Sequence, residues 1–287
     1  MRKRMCEQRH LSTMESWKPV QVHRKHAGGR WCPIAAIVAT LGLMAGCATP
    51  MPHNMSTTTS LSNGYQAYQQ GHFISAEDIA RSYITADSTG KNIAEAYYLA
   101  AIAKEHQDEL ALAAQDYRAA IAHSQRPDLL GKSYKALGDI SYIMARFNQA
   151  AENYKKFMAI DPAAAPDERM LYRLGVSLQN SGHWTGARQY LDQLIASFPN
   201  SQLAKNALLR LSMNHFALQY GAWNNSPAAW RQVAGLQARG VGATVVPQMI
   251  GGHTLFLVQG GVYSTYGAAL AARQLAAVQA PQVIVVP

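Results

Sequence analysis

Two features of the sequence predict an all-α solenoid followed by a small α+β domain. The first is a 37-residue period. Gly64, Ala101, Gly138 and Gly175 are evenly spaced, and twelve positions after each comes an alanine: Ala76, Ala113, Ala150 and Ala187. Alanine-rich segments repeating at that length read as stacked helical hairpins, each of which buries its apolar face only against its neighbours. The second is a duplication without a gap. "FALQYGAW" at Phe216–Trp223 is echoed forty positions later by "FLVQGGVY" at Phe256–Tyr263, and Ala228, Ala229, Val245, Val246 and Pro247 fall on Ala268, Ala269, Val285, Val286 and Pro287. Each copy holds an alternating strand, a turn, a helix from about Pro227 or Gly267, and a β-branched run, so the order is β-α-β twice.

The chain opens on a segment of different composition. Residues 1–46 contain eight Lys or Arg against Glu7 and Glu15, which accounts for most of the formal charge of +9. The body is therefore nearly neutral and lacks the clustered Lys and Arg that face phosphates in nucleic-acid binders. Basic residues up to Arg30 are followed by an apolar run from Pro33 through "IAAIVATLGLMAG" to Cys47. That run is shorter than the roughly twenty residues a bilayer span requires. It resembles the bacterial lipoprotein signal, whose lipobox ends in small residues and a cysteine, here Met44-Ala45-Gly46-Cys47. The resemblance implies lipidation of Cys47, removal of residues 1–46 as a signal peptide, and sorting to the outer membrane because Ala48 rather than Asp follows. Met14 or an internal start remains an alternative beginning, and an uncleaved anchor an alternative to the signal. Cys6 and Cys32 leave with the signal, so no intramolecular disulfide is expected. Residues 47–60, with "ATPMPHNMSTTTS", read as a flexible tether.

Residues 61–213 are expected to form about four helical repeats plus a capping helix from about Ser201 to Ser212. The best units are "YKALGDISYIMARFNQAAENYKKFMAIDP" and the stretch with Leu174, Gly175, Trp184, Ala187, Leu191, Leu194 and Pro199. They resemble the tetratricopeptide (TPR) repeat, which implies that a small residue of helix A sits against a small residue of helix B. "PAAAPDE" at Pro162–Glu168 carries the excess over the usual length, and "ARQYLDQLIASFPNSQLAKNALLRL" resembles TPR lipoproteins of outer-membrane assembly and Tol-associated type. His106, His123 and His183 are scattered, so no metal or other cofactor is expected.

Residues 214–287 contain the duplication. Right-handed crossovers in a shared sheet give the ferredoxin-like βαββαβ arrangement, with the two first strands side by side and antiparallel at its centre. Period-two geometry turns Phe216, Leu218, Tyr220, Phe256 and Val258 toward the helices, and Gln219, Gly221, Leu257, Gln259 and Gly261 toward solvent. Trp223 and Tyr263 are expected in the core at the strand-to-helix turns. This region resembles the SPOR (sporulation-related repeat) domain, whose strand motif reads aromatic-Val-Gln-x-Gly-x-Phe. The resemblance implies binding of peptidoglycan glycan strands stripped of their stem peptides, on the open sheet face. Gln219, Gly221, Ala222, Leu257, Gln259, Gly261 and Gln282 are the candidate glycan-binding residues. Leu257 stands where many members carry Arg, and Gln282 near where some carry a stacking Trp.

A nucleic-acid reader of this topology would place basic residues beside sheet aromatics, yet Gly240 to Ala272 contains no Lys, Arg, Asp or Glu. Convergent acid, base or nucleophile groups for an enzyme are not evident, so no catalytic residue is assigned. The reading is a lipid-anchored periplasmic adaptor for peptidoglycan and an envelope protein partner, in cell division or envelope maintenance. The alternative is a protein-interaction scaffold for outer-membrane or Tol-type assembly without glycan binding. Because only Met213, Asn214 and His215 separate the last helix from the first strand, the capping helix is expected to pack directly on the C-terminal domain.

Overall fold

A computed structural model describes residues 60–160 and 166–287. The proposed signal peptide, Cys47 and the tether through residue 59 lie outside the described residues, as does Pro162. Among the described residues, eight helices form four hairpins: α1 (Leu61–Gln69) with α2 (Phe73–Ala86), α3 (Ile93–His106) with α4 (Leu110–His123), α5 (Pro127–Ile143) with α6 (Phe147–Ile160), and α7 (Glu168–Asn180) with α8 (Trp184–Ser197). A single helix, α9 (Gln202–Leu211), packs on α7 and α8. Local chemistry marks several starts. Ser60, Asp167 and Ser201 accept hydrogen bonds from the amides of Ser62, Met170 and Ala204, and Pro127 opens α5, where a missing N–H costs nothing.

The 37-residue period has a second, less visible line. Each turn between helix A and helix B contains one residue in the left-handed region, at Gly71 (φ 80°), Asp108 (62°), Ala145 (55°) and Gly182 (85°). Glycine adopts that conformation without strain, whereas Asp and Ala carry a Cβ against the following carbonyl.

In the third and fourth hairpins the helix-A glycine lies against a large side chain of helix B, and a Cβ on Gly175 would also come within 3.6 Å of the Ala187 carbonyl, the small neighbour expected there. A Cβ added to Gly138 would stand 2.6 Å from the Tyr154 ring, and one added to Gly175 would stand 2.5 Å from Leu191 Cδ2. Tyr154 and Leu191 lie one turn after Ala150 and Ala187. In these two hairpins the glycine of helix A thus receives the large side chain that follows the helix-B alanine, whereas Gly64 of α1 receives Leu99 of α3. Tyr154 is fully buried, and its hydroxyl donates to Asp139 Oδ1 at 2.6 Å.

The C-terminal domain runs β1 (Phe216–Trp223), α10 (Ser226–Gln237), β2 (Thr244–Ile250), β3 (His253–Tyr263), α11 (Tyr266–Ala276) and β4 (Ile284–Val286). Its sheet has the order β2-β3-β1-β4 with every pairing antiparallel, so the duplicated strands β1 and β3 are central neighbours as expected. Both helices pack on one face, Ala229 and Val233 of α10 and Ala272 and Ala276 of α11 meeting Leu218, Tyr220 and Val258 of the sheet. The duplication persists in the caps: Asn225 and Thr265, forty residues apart, accept from the amides of Ala228 and Ala268. Gly251 and Gly252, both at positive φ, close the β2–β3 hairpin.

Phe216 does not join the core under the helices. Its ring lies 5.2 Å from Trp184, the first residue of α8, and 5.8 Å from Tyr266, the first of α11. Tyr266 in turn meets Phe147 at 5.9 Å, and Phe147 meets Tyr142 at 6.0 Å. The C-terminal domain is therefore held by the turns of the third and fourth hairpins, rather than by α9 as the short connection suggested. Gly182 completes the fit, since a Cβ there would come within 3.2 Å of the Ser264 carbonyl and 3.1 Å of Thr265 Cγ2.

Candidate functional site

On the face away from α10 and α11, the ladders align one residue from each strand into a row: Thr244, Gln259, Gln219 and Ile284. Gln259 Nε2 donates to Gln219 Oε1 at 3.4 Å, a long bond that leaves both amides capacity for other partners. A second row holds Val246, Leu257 and Ala222. Ala222, Thr244, Val246 and Ile284 are exposed and Gln259 is half-buried. The platform is uncharged: residues 214–287 contain Arg231, Arg239 and Arg273 but no Asp, Glu or Lys. Arg273 Nε donates to the Val283 carbonyl, and Arg239 donates to the carbonyls of Gly235 and Gln279.

Several expectations about this face require correction. Gln219 is only 7% exposed, because it stands on a central strand with Gln259 and Ile284 on either side. Leu257 lies on the expected face but is 1% exposed, flanked by Val246 of β2 and Ala222 of β1. Gly221 faces the helices. The β1–β3 register shifts between Gln219 and Gly221, which places Gly221 opposite the core residue Val258. A Cβ there would strike Oε1 of Gln232 on α10 at 2.3 Å. The space serves Gln232, whose amide donates to the Tyr220 carbonyl at 2.9 Å and accepts from Trp223 Nε1 at 2.6 Å. Trp223 is therefore tied to α10 yet 39% exposed, not a core residue. Gly261 (φ 77°) sits at the other register shift, where a side chain would collide with the Tyr263 ring. Both glycines serve bulges, so neither opens the platform to a polymer. Gln282 is exposed in the turn before β4, outside the paired rows. The motif Gln-x-Gly was legible in the sequence; the bulge that turns its glycine to the opposite face leaves no signal in a period-two count.

The repeat array offers a second surface. A concave pocket of about 310 Å³ is lined by side chains including Tyr68, Tyr98, Glu105, Tyr117, Lys132 and Asp139. Its carboxylates already have partners. Glu105 accepts from the Tyr117 hydroxyl at 2.8 Å, and Asp139 accepts from Tyr154 and from Arg173 at 2.5 Å. Burial, with Tyr68 and the Glu105 carboxylate nearby, pushes the Tyr98 hydroxyl up to about 12. His106, His123 and His183 have structural surroundings. His106 stacks on Phe73 and bonds Tyr68, His123 stacks on Tyr97, and His183 precedes α8.

Comparison with known families agrees with both parts. Residues 212–287 match the SPOR domain, and residues 169–201 match a tetratricopeptide repeat. The chain carries a tetratricopeptide repeat and a C-terminal SPOR domain. No curated protein matches the chain. Among solved structures, the chain is similar to the MamA protein, with 23% identity over 49% of this chain and 75% of that one at a TM-score of 0.41. It is similar also to PilW, described as a type IV pilus biogenesis factor, with 18% identity, 52% and 65% coverage and a TM-score of 0.43. Pseudomonas aeruginosa pilF gives 14% identity, 77% and 90% coverage and a TM-score of 0.39.

Proposed function

We propose that this protein is a non-enzymatic periplasmic adaptor, anchored to the outer membrane by lipid on Cys47. In this reading its SPOR domain binds peptidoglycan glycan strands and its TPR array holds an envelope protein partner, in cell division or envelope maintenance. The row Thr244–Gln259–Gln219–Ile284 carries the proposal. Amides and a hydroxyl donate to and accept from sugar hydroxyl and acetamido groups, while Ile284, Val246 and Ala222 offer apolar contact to a pyranose face.

The test is co-sedimentation of the full chain with amidase-treated sacculi. Gln259→Ala should weaken binding by about 2- to 10-fold, equivalent to the roughly 0.5–1.5 kcal/mol of a typical hydrogen bond. Unchanged sedimentation would remove the row from the site. A second reading, a protein scaffold without glycan binding, is favoured by the burial of Gln219 and by Leu257 in the place where many SPOR members carry Arg. Under it the wild-type chain stays in the supernatant. Anchoring is tested separately: Cys47→Ser should release the protein from membranes without detergent, and tight retention would sink that assignment.

A further inference from the structure

The last helix of the array stands in the register of a helix A. Ala207-Leu208-Leu209-Arg210-Leu211 follows Met170-Leu171-Tyr172-Arg173-Leu174 by 37 residues and repeats its Leu, Arg and Leu. Leu208 therefore corresponds to Tyr97, Tyr134 and Leu171 in α3, α5 and α7. Each of those side chains packs on the helix B of its own hairpin. Tyr97 stacks on His123 of α4 at 5.6 Å, Lys156 of α6 lies over the Tyr134 ring at 5.4 Å, and Leu171 is fully buried in a cluster with Leu191 and Leu194 of α8. After Leu211 the chain turns into β1, so α9 has no helix B. Leu208 is 56% exposed. A terminal repeat ordinarily needs a polar outer face, and an exposed leucine at a position built for helix packing is the reverse.

We infer that α9 is half of an unfinished fifth hairpin, and that its Leu208 face docks an amphipathic helix of a partner protein in the place of helix B. The complete hairpins specify that helix. In the second, third and fourth hairpins the B helices present Ala113, Ala150 and Ala187, followed four residues later by Tyr117, Tyr154 and Leu191 and seven later by Ala120, Phe157 and Leu194. The partner helix thus carries alanine, then Leu or Tyr at i+4, then an apolar residue at i+7. Ser212, in register with Gly175, keeps the neighbour of the i+4 residue small. The face continues the α8–α9 packing and is independent of the sheet platform, so it stands whether or not glycan binding does.

A fluorescent peptide with the sequence of α8, Trp184–Ser197, is a surrogate for the missing helix. Anisotropy titration with the full chain should give saturable binding, at least tenfold weaker for Leu208→Lys. The control is Leu209→Lys, also exposed, whose register with Tyr98 and Lys135 belongs to the concave groove. It should bind within twofold of wild type, with unchanged far-UV circular dichroism for both variants. The peptide bears its own cost of helix formation, so the ratio between variants carries the reading. Absence of saturable binding to the wild type, or equal losses in the two variants, would overturn the inference. So would a dimer of the chain alone, seen by sedimentation equilibrium, that Leu208→Lys dissociates, because a second copy would then occupy the face.

Discussion

The indole Nε1 of Trp184 donates to the carbonyl oxygen of Ser264 at 2.9 Å, joining the first residue of α8 to the loop before α11. Phe216 packs between the same indole and the ring of Tyr266, and Gly182 leaves room for the Ser264–Thr265 backbone. The two central strands of the sheet end at this contact, through Phe216 and Tyr263, which are paired in the ladder. This contact ties the sheet to the fourth hairpin.

Removing this contact should separate the unfolding of the two domains. Trp184→Ala deletes a half-buried indole and one hydrogen bond, a loss of about 2 kcal/mol in docking. In the wild type, limited proteolysis should spare residues 208–220. In the variant, nicking at Asn214 or His215 should appear and release a C-terminal fragment. An identical digestion pattern would show that the docking contact does not protect the connection.

Glycine substitutions should split by what their Cβ meets. Gly138→Ala drives a methyl into the Tyr154 ring and should destabilise by about 1–3 kcal/mol, the usual cost of overpacking. Gly235→Ala, in α10, meets nothing within 4 Å and should stabilise by about 0.5–1 kcal/mol through helix propensity. Urea midpoints moving in the same direction for both would contradict the packing described.

The left-handed turns make a second matched pair. Ala145→Gly relieves a non-glycine residue at φ 55° and should raise stability by about 0.5 kcal/mol, the strain removed exceeding the added chain entropy. Gly71→Ala, at φ 80° with open space around it, imposes the strain and should lower stability by a similar amount. Thermal unfolding of the two variants checks the opposite signs.

Acid should loosen the first two hairpins. Burial alone would raise the Glu77 carboxyl, but hydrogen bonds from Lys104 and Gln107, with the charges of Lys104 and Arg81, outweigh it and hold it below the usual carboxylate range. A depressed folded-state value contributes stability that is complete above the unfolded value, about 4.3, and is lost as pH falls through the folded value. Glu77→Gln should therefore cost about 1–2 kcal/mol at neutral pH, and the difference from wild type should shrink below about pH 4. A constant difference from pH 7 to pH 3 would mean that the ion pair contributes nothing.

The sequence alone determined the architecture, because both of its periodicities are local and repeated. The 37-residue spacing of Gly64, Ala101, Gly138 and Gly175 fixes helix order, and the forty-residue echo of Phe216–Trp223 fixes strand order and which strands are central. Repetition makes such signals strong, since each copy confirms the register of the others. What only the tertiary structure decided lies where a single residue breaks the period or meets something distant in the chain. A bulge after Gln219 turned Gly221 from the platform to α10, a change of one residue that alternation cannot anticipate. Phe216 reads as core in the strand pattern, but its neighbours Trp184 and Tyr266 come from α8 and α11. Leu208 stands in register with the buried Leu171; only the arrangement of the chain after Leu211 leaves it uncovered, because burial depends on what arrives from elsewhere.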